Sequence, residues 1–173
     1  MKPLLMPLIV IAMLAGCQTL DETPGGRLGQ ATLRFAGGAP AGTARLFGSG
    51  TEATLSVSLS GMPGGGPSVH LHTIGSCDPP DFASAGAPLG LLAGQHAFEP
   101  LHNPLLPHVP APMGASGAGT VSAILDGTPE AVIPRIFDAD GSAIIVHAAG
   151  HDDQTDAAAD PAERFACGIL LQG

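Results

Sequence analysis

The sequence predicts an all-β domain, a Greek-key barrel or sandwich, and three observations carry that reading. Apolar and polar residues alternate with period two in runs of five to seven residues, the pattern of half-buried strands. Between these runs fall 25 glycines and 17 prolines, close to a quarter of the 173 residues. No stretch carries convincing helical periodicity.

Taken in order, residues 31–35 and 53–59 alternate inward and outward side chains. Residues 43–47 lie between them, flanked by glycines, and read as a hairpin partner. The glycine- and proline-rich residues 61–67 form a loop, and residues 68–73 the next strand. The stretch 74–119 is rich in proline and lacks periodicity; a structureless segment of that length within one domain is usually functional. Strand signals return at 120–125, weakly at 131–137, and again at 143–148. An acidic loop follows, and residues 165–170 close the domain as a last strand. No internal repeat is visible.

Composition excludes several function classes. Six basic residues against fifteen acidic ones leave a net charge of −9, and Lys2 is the sole lysine. With no basic stripe to neutralise phosphates and neither Trp nor Tyr to stack on bases, nucleic acid is excluded as a partner. Seven acids lie between Asp138 and Glu163, so the C-terminal third is the most negative part.

The N-terminus reads as an export signal. One lysine precedes an apolar run over residues 3–14, too short to span a bilayer comfortably, and small residues follow. Leu14-Ala15-Gly16-Cys17 resembles the bacterial lipoprotein signal, in which the cysteine receives lipid. The expected organisation is a signal peptide over 1–16, a lipidated tether over 17–30 and one domain over 31–173. The chain is then periplasmic and anchored to a membrane through Cys17. Two cysteines remain, Cys77 and Cys167. In an oxidising compartment an even remainder favours one disulfide over two buried thiols.

Seven histidines remain to be placed. His70 and His72, two apart on one strand, leave the same face and lie close enough for one ion to reach both. His147 ends a second apolar strand. Three neutral imidazoles suit copper or zinc.

Four separated motifs carry a family resemblance. Ser68-Val-His-Leu-His72-Thr-Ile-Gly75-Ser-Cys77, Phe82-Ala-Ser84-Ala-Gly86, Val146-His147-Ala-Ala-Gly-His-Asp152 and Arg164-Phe-Ala-Cys167-Gly together resemble the copper/zinc superoxide dismutase family. The resemblance runs from about residue 31 to the end. It implies an eight-stranded Greek-key barrel with a metal-binding loop and an electrostatic loop outside it. It further implies copper ligation by His70, His72 and His147, and a disulfide between Cys77 and Cys167. Arg164 takes the role of the arginine that attracts and orients superoxide.

The departures concern the second metal. Where the family places the histidine that bridges copper and zinc, this chain has Pro88. His96 and His108 correspond to zinc ligands, but Ala111 replaces the expected aspartate. The aspartate that links the two sites falls on His151, with Asp152 as neighbour, and His102 is an added imidazole. Together these histidines either build an all-imidazole site or are remnants that hold no metal. Zinc is therefore expected weakly or not at all. The implied activity is dismutation of superoxide to dioxygen and peroxide by a copper-only or zinc-altered enzyme. The alternative is a periplasmic copper buffer on the same barrel. Oligomeric state is not legible.

Overall fold

A computed structural model describes residues 26–63, 66–89, 109–110, 113–147 and 164–173. Its strands are β1 (Gly26–Phe35), β2 (Pro40–Ser49), β3 (Glu52–Leu59), β4 (Ser68–His72), β5 (Val109–Pro110), β6 (Gly119–Leu125), β7 (Ser142–His147) and β8 (Arg164–Gln172). They form one antiparallel sheet in the order β5-β4-β7-β8-β1-β2-β3-β6. The connections from β3 to β4 and from β6 to β7 cross the sheet and give the Greek-key pattern, while β5 and β6 stand at its two edges.

The period-two reading explains the barrel's inside. Leu33, Leu46, Leu55, Leu71, Ile144, Leu125 and Leu170 come from seven strands yet pack into one cluster, so the sheet curls around them. Each such leucine or isoleucine contributes roughly 1.5–3 kcal/mol of burial. On the outward face of β3 and β6, Ser58 meets Thr120 at 3.2 Å and Ser122 donates to Ser56 at 3.0 Å, while Ile124 stands exposed beside them.

Three expectations need correction. The weak strand at 131–137 is a helix, α1 (Pro129–Ile136). Its buried residues Pro129, Val132 and Ile136 recur at three and four residues, and Pro129 sits at its first turn behind the cap residue Thr128. The backbone amide and the Thr128 hydroxyl hold the Glu130 carboxyl below its usual range, as suits an acid at a helix N-terminus. Thr128-Pro129-Glu130 is the sequence signal for this helix start. The eighth strand is instead the two-residue β5, within the stretch read as structureless. Finally, β1 begins at Gly26, so residues 26–30, assigned to the tether, belong to the sheet. Gly29 allows this, because a Cβ there would lie 2.6 Å from the Phe137 ring.

Candidate metal centre

The central strands β4 and β7 are buried along their whole length, because both faces are covered. Val69, Leu71, Ile144 and Val146 point into the barrel core. On the outer face the register sets Ser68 against His147, His70 against Ile145 and His72 against Ala143. The loop after β4 folds back over this face. Thr73 N–H donates to the Ala87 carbonyl at 2.9 Å, Ile74 to Ala85 at 3.0 Å and Leu89 to Leu71 at 2.7 Å. Beneath it Phe82, Ala85, Ala143, Ile145 and Cys167 form a second apolar cluster, with Cys77 packed against it.

Cys77 and Cys167 are joined in a disulfide, Cα to Cα 5.7 Å, that pins the loop to β8. The bond closes a span of 90 residues. Breaking it with Cys77→Ser is expected to cost about 4 kcal/mol through the freed unfolded chain, read as a lower urea midpoint. Thiol labelling of unreduced, denatured protein should modify neither cysteine.

The three histidines expected to ligate copper meet on the covered face, all essentially buried. His72 Nδ1 lies 2.9 Å from the Gly86 carbonyl. A carbonyl only accepts, so Nδ1 carries the proton and, in the neutral ring, Nε2 carries the lone pair. That Nε2 is 3.2 Å from His147 Nε2, so His147 donates the shared proton. The two rings stack with centroids 5.4 Å apart. His70 lies edge-on to His147 at 4.9 Å, its Nε2 3.2 Å from Ser68 Oγ.

This donor set can be tested against a metal. Two nitrogens 3.2 Å apart are spaced as ligands at about 2.0–2.1 Å from one ion, subtending roughly 100°. A single ion would take the place of their shared proton once His147 carries that proton on Nδ1 instead, and the Gly86 bond already fixes the tautomer that His72 needs. The pair fits. Among the described residues, however, no three His, Cys, Asp or Glu side chains converge as a ready-made metal group. A three-imidazole shell therefore requires His70 to turn a nitrogen toward the pair.

Arg164 opens β8 opposite His147, at a bulge between Val146 and His147. The residue is 8% exposed, and its guanidinium donates to the Phe82 carbonyl at 2.7 Å and the Gly86 carbonyl at 3.4 Å. Burial lowers its pKa and Asp81 opposes that shift; the group stays cationic at neutral pH. The carbonyls of Phe82 and Gly86 and the hydroxyl of Ser68 are parts of this site that residue type alone did not reveal. A half-buried Pro88 bridges to His72. His96, His102, His108, Ala111, His151, Asp152 and Cys17 lie outside the described residues.

A family model described as copper/zinc superoxide dismutase matches residues 41–170. A superoxide dismutase-like protein, YojM, of Bacillus subtilis is 33% identical over 115 residues, covering 63% of this chain and 57% of that protein. The chain thus spans little more than half of that relative. A Cu-Zn superoxide dismutase of Caulobacter vibrioides is 34% identical over 123 residues, covering 67% of this chain and 70% of that one. Among solved structures, a superoxide dismutase-like protein from Bacillus subtilis superposes with a TM-score of 0.61 at 26% identity, covering 84% of this chain and 100% of that one. The Cu/Zn enzyme of Brucella abortus, 17% identical with a TM-score of 0.54 over 82% of this chain and 98% of that one, shares the fold. With its barrel, its disulfide and a match running through seven of its eight strands and the helix, the chain belongs to the copper/zinc superoxide dismutase family.

Proposed function

We propose that this protein is a copper-dependent superoxide dismutase, exported and tethered to a membrane through Cys17, with a zinc site that is altered or lost. One observation carries the reading: the facing nitrogens of His72 and His147 lie beside a buried cation, Arg164, that shares a hydrogen-bond acceptor with His72. Copper held by His70, His72 and His147 would supply a one-electron couple, taking an electron from one superoxide and giving it to the next, which leaves as peroxide with two protons. Arg164 draws in the anion and orients it, against the field of a chain with net charge −9. Pro88 has no group to deliver a proton, so protons come from water. The disulfide supports an oxidising compartment. With Pro88 and Ala111 in place of two family ligands, zinc binds weakly or not at all, and metal counting after zinc dialysis should find well under one ion per chain.

A second reading is a copper buffer on the same barrel. Pro88 favours it, because a buffer needs no proton donor beside His72, and the Bacillus subtilis relative is itself named only as dismutase-like. Superoxide decay decides between the two, measured with copper-loaded protein against equal copper under chelation. Decay above the chelated control is expected. Arg164→Ala should then lower the rate by on the order of tenfold with copper content unchanged, since it removes attraction rather than ligation. Loaded wild-type protein that does no better than the control would replace the enzyme with the buffer.

A further inference from the structure

We propose that a cleft on the outer face of β2, β1 and β8 binds an anionic amphiphile. An aliphatic chain lies along the strands, and its phosphate or carboxylate head meets Arg45. The cleft encloses about 530 Å³, within the range of small-molecule sites. The loop that carries the disulfide walls it at Cys77, Pro79 and Phe82, and the turn after β1 walls it at Gly38. No histidine lines it, so binding here is independent of the copper reading.

Strand register orders the floor. Leu171, Gln30 and Arg45 share one cross-strand row, and Cys167 and Arg34 share another. Between the rows lie Ile169 and the pair Thr32 and Thr43. The four residues from Gln30 to Arg34 span roughly 13 Å. The two ends differ in character. At one, Arg45 stands exposed beside Gln30. At the other, Phe35, Pro79 and Phe82 gather near the disulfide, and Arg34 already gives one donor to the Gly38 carbonyl at 2.9 Å. A charged head therefore belongs at the Arg45 end and a tail at the disulfide end. Ile169 and Leu171, 41% and 62% exposed, are two of the four large apolar side chains left exposed among the described residues, and a chain in the cleft would cover them. In a chain with fifteen acids, β1, β2 and β8 carry none, and none lines the cleft. The wall's own acids are engaged locally: Asp78 accepts from the Ser76 hydroxyl and Asp81 from the Ala83 amide. A second copy of the chain is a poor occupant, because a two-fold contact would set this arginine-bearing, acid-free face against itself.

Titration calorimetry of the full chain with hexyl, octyl and decyl phosphate tests the site, with inorganic phosphate and decyl maltoside as controls. Affinity should rise roughly three- to fourfold per methylene, the value of one buried CH₂. Inorganic phosphate should bind about 100-fold more weakly than decyl phosphate. Arg45→Gln should weaken decyl phosphate about tenfold, the measure of one charge-assisted hydrogen bond, and leave decyl maltoside unchanged. Leu171→Ser should weaken both about tenfold. Phosphatidylglycerol and phosphatidylcholine vesicles then identify the source of the ligand, because a lipid anchor acts equally on both. A preference for phosphatidylglycerol that Arg45→Gln removes assigns the ligand to the membrane; alkyl phosphate binding without that preference assigns it to free amphiphiles. Affinity that is flat along the series, inorganic phosphate that binds as tightly as decyl phosphate, or an Arg45→Gln protein that binds like the parent overturns the proposal. So does a dimer in sedimentation velocity that Leu171→Glu disperses, since a second copy would then fill the cleft.

Discussion

If copper sits where proposed, His147→Ala is expected to lower copper affinity by on the order of 100-fold or more, since losing a group that merely orients a ligand already costs 10–100-fold. His147 contributes one of the two nitrogens that already face each other, at 3.2 Å from His72 Nε2. Without it, His72 is left with His70, whose ring is turned edge-on to the missing one. The change also removes a buried hydrogen bond worth roughly 1 kcal/mol, so a modest drop in the melting midpoint of the metal-free protein should accompany it. His102→Ala serves as the comparison, being outside the expected ligand set. Copper titration under competing chelator reads both variants. Equal losses from the two would move the site away from β4 and β7.

Much of this site was legible because strand spacing is rigid. With period two, His70 and His72 had to share a face, and the apolar run before His147 had to lie in the sheet. What spacing could not give is pairing: that Ser68 stands opposite His147, or that β4 and β7 are neighbours, follows from a Greek-key crossover tens of residues long. Backbone acceptors were invisible for a similar reason. Nothing in the letters Phe82 or Gly86 says where a carbonyl will point, and their φ values are set by the docked loop. The helix at Pro129 reads as a weak strand because 131–137 is apolar enough for either; the cap residue Thr128 and first-turn Pro129 are the signals that decide for the helix. The early start of β1 is hidden by Gly26 and Gly29, which look like tether, although Gly29 fits where a side chain would collide with Phe137.

Pro88→His should raise the dismutation rate of the copper-loaded protein by on the order of tenfold or more, the scale of a positioned proton donor. Pro88 and His72 are cross-strand partners in a short antiparallel bridge. The hydrogen bonds on either side, Thr73 to Ala87 and Leu89 to Leu71, make them a non-hydrogen-bonded pair. Two consequences follow. Proline's missing N–H costs the ladder nothing here, which explains how the sheet tolerates it, and restoring an N–H disturbs no bond. Side chains of such a pair also leave the same face with Cβ atoms about 4.5–5.5 Å apart, so a new imidazole would stand beside that of His72. It would be near enough to donate a proton to departing peroxide or to join the copper shell. Stopped-flow superoxide decay at matched copper content separates these outcomes from a change in loading. A variant that binds copper more tightly yet shows the parent's rate would mean that proton delivery never limited the protein, and would favour the buffering role.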